Sequence, residues 1–221
     1  MWLFMSQNRK IYFNQPIQVT GLEVPPHLPH EEETSTSSLP TKGVIIPFCR
    51  GECGTNYTLT NASGVSTGVM LCTFGMTNGS TTTLTNPATS NPSFTQSIAL
   101  NNHAFTFVMP YDGTLRSIYM NSCNYYTLGN ASSVVTPYVA LYTADPGTTT
   151  FTLLSGTKTP AAIPWTGSTI SNSVTTGYQS GLNISIPAGT RIAIVGGCDS
   201  NGLALTQWIE YAGALYLSQN E

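Results

Sequence analysis

The sequence predicts an all-β domain behind an extended N-terminal segment. Three observations lead there. Stretches such as HAFTFVMPYDGTLRSIYM, TPYVALYTADPGTTTFTLLSG and LNISIPAGTRIAIVGG alternate apolar residues at period two and break at Gly, Pro, Asp or Asn. No stretch of about 12 residues carries a capped 3.6-residue apolar period. Charged residues make up only 8 % of the 221-residue chain, against about 25 % in ordinary globular domains.

Taken in order, strands are expected at 44–48, 69–74, 97–110, 114–121, 135–142, 150–154, 182–186, 191–195 and 206–217. The connections carry strong turn chemistry at Tyr111-Asp112-Gly113, Asp145-Pro146-Gly147 and Pro187-Ala188-Gly189. Many short strands at this spacing imply a sandwich, jelly roll or barrel. Two stretches, 78–91 and 156–177, are expected to be long exposed loops, the kind that often carries function. The last strand holds Trp208, Ile209, Tyr211, Leu215, Tyr216 and Leu217, with large apolar groups on both faces. Such a strand is buried on both sides. Trp208, Tyr211 and Tyr216 are therefore the expected subunit-interface residues. Tyr119, Tyr125, Tyr126, Tyr138 and Tyr142 add aromatic area of the type enriched at interfaces.

Residues 1–42 differ in kind. They hold seven of the seventeen charges, leaving ten for the other 179 residues. The stretch KIYFNQPIQVTGLEVPP alternates apolar residues (Ile11 with Phe13, Ile17 with Val19) around Tyr12 but offers no partner strand. Pro25, Pro26, Pro29 and Pro40 disfavour helix and favour extended geometry. The segment reads either as a tail or as a connector whose residues Ile11, Tyr12, Phe13, Ile17 and Val19 add to a neighbouring subunit's sheet edge. Two units follow: 1–42, an extended connector, and 43–221, the β-domain.

Composition narrows the function class. Net charge is −3 without a Lys/Arg cluster, so the cationic stripe needed for nucleic acid is missing. No window has 18 apolar residues in a row, so no membrane-spanning helix is expected. The apolar run at 1–5 is shorter than a secretory h-region. The domain from 43 onward has three Asp, three Glu and a single His, His103. It contains no His-Glu-x-x-His or phosphate loop. The expectation is a non-enzyme without cofactor.

Smaller signals are weighed the same way. Asp112 reads as a turn residue, and Arg191 with Glu210 as a candidate interface ion pair. His27 and His30 followed by Glu31–Glu33 could attract a divalent metal, but in a Pro-rich stretch the ligands are not pre-arranged. Five Asn-x-Ser/Thr sequons, at Asn56, Asn61, Asn78, Asn130 and Asn183, fall in a chain already rich in these residues. The five cysteines are Cys49, Cys53, Cys72, Cys123 and Cys198, an odd number. Buried thiols, disulfides within or between chains (Cys49 and Cys53 being the close pair) and a weak Cys-x-x-x-Cys metal signal all stay open.

One resemblance is carried by the order of several motifs. Ile46-Pro47-Phe48 is followed by Phe105-Thr106-Phe107-Val108-Met109-Pro110-Tyr111-Asp112-Gly113-Thr114-Leu115. Then come Ala140-Leu141-Tyr142, Phe151-Thr152-Leu153-Leu154 and Ser185-Ile186-Pro187-Ala188-Gly189-Thr190-Arg191. Over 43–221 this resembles the C-terminal domain of the collagen-like exosporium glycoproteins (the BclA/BclB-related group) of spore-forming Firmicutes. The resemblance implies a jelly roll like those of C1q and tumour necrosis factor, assembled as a homotrimer. The collagen-like repeat of that family is absent here, and a Pro-containing leader stands in its place. The implied function is a self-assembling structural protein of the endospore surface (exosporium or appendage), with trimers joined head to tail into a fibre through the N-terminal segment. Its partners would be itself, a spore-surface anchor protein and a tip adhesin. The alternative is a terminal receptor- or glycan-binding trimeric head.

Overall fold

The computed structural model describes residues 43–50, 57–73, 81–96, 105–128 and 131–219. All of them fall within one compact unit, Ser38–Glu221. The strands are β1 (Gly43–Arg50), β2 (Thr58–Thr60), β3 (Ser66–Cys72), β4 (Thr82–Thr83), β5 (Ser93–Thr95), β6 (Thr106–Val108), β7 (Gly113–Asn124), β8 (Val134–Ala144), β9 (Thr150–Leu153), β10 (Thr159–Pro160), β11 (Trp165–Thr166), β12 (Val174–Gln179), β13 (Ile184–Ile186), β14 (Arg191–Ser200), β15 (Thr206–Gln207) and β16 (Ile209–Gln219). The protein is all-β, with no α-helix among the described residues and curled antiparallel sheets.

The first sheet runs β1-β16-β7-β12. β16 lies along the whole of β7, from Ile209↔Asn124 to Gln219↔Gly113, with a bulge between Tyr216 and Leu217. β12 and β13 share the other edge of β7. β1 is an edge strand, paired to β16 over its full length from Gly43↔Ser218 to Arg50↔Tyr211. Pro47 is tolerated there because an edge strand can spare one amide donor.

The second sheet has β14 as its spine. β8 pairs with all ten residues of β14 on one side, and β6 and β3 divide the other. Beyond β8 lie β9, β10 and β11; beyond β3 lie β2 and β4, with β15 outside β2. Thr157 plugs the gap between β9 and β10. Its hydroxyl accepts from Leu141 N (3.1 Å) and donates to Leu154 O (2.6 Å).

Period two explains the core. Along β14, Ile192, Ile194 and Cys198 point one way, and Ala193 and Val195 the other. β8 divides into Val135, Val139 and Leu141 against Tyr138, Ala140, Tyr142 and Ala144, and β3 into Met70 and Cys72 against Val69 and Leu71. The first set meets Phe48, Leu115, Ile118, Met120, Tyr211, Leu215 and Leu217 of the first sheet, forming the inter-sheet core. The second set lies on the far face of the second sheet. Leu84, Phe94, Phe105 and Phe151 cover it, and Phe94 stacks on Phe151 at 5.2 Å with the planes 5° apart. The second sheet is thus buried on both faces.

This differs from the sequence expectation in several places. The loop expected at 78–91 carries β4, and β5 follows it at Ser93–Thr95, ahead of the strand expected from 97; together the stretch 81–96 closes the second cluster. The stretch 156–177 likewise contains β10, β11 and the start of β12. Trp208 interrupts the expected strand 206–217, splitting it into β15 and β16. Of the expected strand 97–110, Thr106–Val108 is a strand, and 97–104 lies outside the described residues.

Two adjacent glycines let the sheets close. A Cβ on Gly196 would sit 2.6 Å from the Tyr211 ring, and one on Gly197 would sit 2.5 Å from the Tyr138 hydroxyl. Each glycine leaves room for a tyrosine on one face of β14. Tyr211 then donates from its buried hydroxyl to Gly197 O at 2.7 Å, which satisfies a polar group that burial would otherwise penalise.

Candidate functional site

The outward face of the first sheet is built by the residues that alternate with the core set. β1 contributes Ile45, Pro47 and Cys49, and β16 contributes Tyr216, Ala214, Ala212 and Glu210. β7 adds Tyr119, Asn121 and Cys123, and β12 adds Tyr178, Thr176 and Val174. Ile45 is 66 % exposed, Val174 60 %, Tyr178 57 % and Tyr119 48 %. The register aligns Pro47, Ala214, Tyr119 and Tyr178 in one row across four strands. Charge is confined to the ends of the face. Glu210 sits at one end; at the other Arg116, beside the bulge, donates to Ser218 Oγ (2.8 Å) and Asn183 Oδ1 (2.7 Å). The centre is apolar and aromatic.

The two tyrosines of that row interact. Their centroids lie 4.6 Å apart with the planes tilted by 31°. A hydrogen bond to Tyr178 holds the Tyr119 phenol above its ordinary pKa. Hydrogen bonds from Ser180 and then Tyr119 pull Tyr178 below it. The pair is a fixed cross-strand contact of the kind that stabilises sheets.

The expected interface residues take three different positions. Tyr216 is half-buried on the outward face. Tyr211 faces inward and is 1 % exposed. It corrects the sequence expectation: its ring is enclosed within its own protomer, leaving no area for a partner. Trp208 stands off the sheet, in an aromatic cluster with Tyr57 (5.9 Å, edge to face) and Tyr126 (5.3 Å, 90°). Tyr125 completes it against Tyr126 at 4.8 Å and 87°. Tyr138 and Tyr142, also expected to add interface area, are core residues.

The expected connector residues Ile11, Tyr12, Phe13, Ile17 and Val19 lie outside the described residues, as does Cys53 of the expected Cys49–Cys53 pair. Cys49 and Cys123 are half-buried and border one shallow groove of about 350 Å³ on the outward face. They belong to β1 and β7, with β16 between them, so about 10 Å of sheet separates their backbones. That exceeds the reach of a disulfide. Burial, and then the nearby Glu210, push the Cys123 thiol up. Cys72 and Cys198 are core thiols, each pushed up to about 12, chiefly by burial.

The acidic residues serve structure. Asp112 accepts from Ala188 N at 2.7 Å across two turns, and Asp199 pairs with Lys158 at 2.6 Å. Arg191 lies over the Phe151 ring at 5.0 Å and donates to Thr148 O and Gln96 Oε1, engaged well away from Glu210. A cleft of about 570 Å³ between two turns is lined mostly by hydroxyls, with Asp145 its acid. Among the described residues no group of three or more His, Cys, Asp or Glu could hold a metal ion, and no helix is long and apolar enough to cross a membrane. The chain matches no family model, no curated protein and no solved structure.

Proposed function

We propose that the protein is a self-assembling structural subunit of the bacterial endospore surface. In this reading the β-domain is a jelly roll that trimerises, and residues 1–42 join trimers head to tail into a fibre. The observation that carries it is the outward face of the first sheet, where Ile45, Tyr119 and Tyr178 are largely exposed about an uncharged centre, with exposed Val174 in the row of Glu210 at one end. Contiguous exposed apolar surface of this kind marks interaction sites. Three copies closing around a common axis would bury it symmetrically.

Strand order supports the jelly roll. Take β1, β3, β7, β8, β9, β12, β14 and β16 as eight strands in chain order. One sheet then holds the first, eighth, third and sixth, and the other the second, seventh, fourth and fifth. That is the pairing of two interlocked Greek keys. The connector reading draws on the other end of the same sheet. Between Val44 and Phe48 the far edge of β1 pairs with no other strand among the described residues. An open edge of this kind accepts an added strand, and 11–19 has the matching alternation.

The test is electron microscopy and sedimentation of the full chain and of a form lacking 1–42. Thin fibres from the first and discrete trimers from the second are expected. Fibres from the truncated chain would remove the connector role, and monomers from both would remove the assembly reading altogether.

A further inference from the structure

We infer that Tyr125, Tyr126 and Trp208 form a stacking platform for a neutral saccharide. The first argument is rigidity. Tyr125 and Tyr126 are 41 % and 52 % exposed, yet they stand on one of the most constrained loops of the fold. Asn124, 1 % exposed, donates from one amide nitrogen to Tyr126 O (3.1 Å) and Ile170 O (2.9 Å). Its amide oxygen accepts from Ser173 N (2.7 Å). Tyr125 N donates to Trp208 O (3.0 Å), and Asn172 N to Asn124 O (2.7 Å). Asn172 holds a positive φ of 61° to make that contact, a conformation uncommon outside glycine. A buried amide and an unusual backbone fix the loop that carries the two tyrosines, and the ring contacts from Tyr125 to Tyr126 to Trp208 order the side chains on it. Fixing an aromatic side chain in advance removes an ordering cost at binding, and this is what a recognition platform requires.

The second argument is shape and charge. Successive rings meet at 87° and 90°, so edges support faces and the exposed faces are held in set directions. No Asp, Glu, Lys, Arg or His occurs in 124–128, 170–173, 206–208 or 57–58, the segments that carry and flank the platform. Phosphate and sulfate therefore find no cation on these segments. The side-chain hydrogen bonds there are neutral: Thr127 Oγ1 accepts from Ser171 N (3.2 Å), and Ser173 Oγ donates to Ile170 O (2.8 Å). Flat aromatic faces beside neutral hydrogen-bonding groups match a pyranose ring, which offers one apolar C–H face and a rim of hydroxyls.

The experiment presents the full chain to an array of immobilised neutral oligosaccharides and measures each hit by calorimetry with the soluble sugar. Binding is expected, weakened about tenfold or more in Tyr126→Ala, the size of one lost aromatic stack, and retained in Tyr126→Phe. Because the Tyr126 ring is half in water and loses only its two edge-to-face contacts, the thermal midpoint of Tyr126→Ala should fall by no more than about 5 °C, with an unchanged circular dichroism spectrum. Three results would overturn the inference: no neutral glycan bound, binding undiminished in a Tyr125→Ala/Tyr126→Ala double variant, or capture of a proline-rich peptide with no glycan bound.

Discussion

Phe94→Ala tests whether the second sheet has two buried faces. Phe94 is 1 % exposed and sits between Phe151, stacked at 5.2 Å, and Tyr142 at 5.4 Å. Its strand, β5, joins β9 by three residue pairs and is bridged to Thr85 at Ser93. Truncating a buried Phe to Ala costs about 3–5 kcal/mol through lost transfer energy and the cavity left behind. Of that, about 0.5–1.5 kcal/mol belongs to the lost ring contacts. For a chain of this size about 2–4 °C of midpoint accompanies each kcal/mol, so a fall of roughly 6–20 °C is expected. The assay is urea and thermal unfolding by circular dichroism at one fixed concentration, since association would shift the apparent stability. A loss below about 1 kcal/mol would mean that the stretch 81–96 merely rests on the sheet, and the account of a second closed cluster would fail.

Gly196→Ala places a methyl group 2.6 Å from the Tyr211 ring; a loss of about 1–3 kcal/mol in the same assay is expected for such overpacking, and a neutral effect would contradict the close approach of the two sheets. Tyr119→Glu puts a charge in the middle of the outward face; on the proposed trimer reading sedimentation should fall from trimer to monomer with an unchanged circular dichroism spectrum, and trimers of undiminished mass would place the interface elsewhere. The folded-state pKa values of Cys72 and Cys198 are raised from 9.0 to about 12. The stability tied to their neutral form is whole below pH 9 and is lost as pH climbs towards 12. Urea midpoints at pH 8, 9.5 and 10.5 should therefore decline, and a flat profile would count against their burial. At pH 8 a thiol reagent should label Cys49 and Cys123 in the native protein and reach Cys72 and Cys198 only in urea; equal rates at all four sites would contradict the two environments.

Strands were legible wherever burial is apolar. Val139, Ala140, Leu141 and Tyr142 read as a buried run because both faces of β8 are covered. The C-terminal end of β7 was not legible, because Ser122 and Asn124 enter the interior as polar groups, Asn124 through its hydrogen bonds. Leu84 lies among Thr, Ser, Asn and Pro, so 78–91 reads as a loop, and Phe94 falls between it and the strand expected from 97; the stacking of Phe94 on Phe151 explains the order of the stretch. Tyr211 was misplaced because a strand that is apolar on both faces does not say which face is the core; Gly196 on a distant strand decides that. Trp208, Tyr125 and Tyr126 stand out in the sequence as interface-type aromatics, but their meeting in one cluster with Tyr57 does not. Tyr57, Tyr126 and Trp208 are far apart in sequence and meet only through the topology.

The entry of the chain into the fold has a mechanical consequence. Gly43 opens β1 opposite Ser218, the first of eight residue pairs that end at Arg50 opposite Tyr211. Tension applied at Gly43 along the strand axis loads those pairs together, in shear, so none can open alone. The same tension applied across the sheet loads Gly43↔Ser218 first and peels the strand pair by pair. In a filament linked through the N-terminal segment, extensibility is then set by the angle at which the link leaves the sheet edge. A joint drawn along β1 is stiff, while one drawn across it yields a short length of chain under load and recovers it when the load falls.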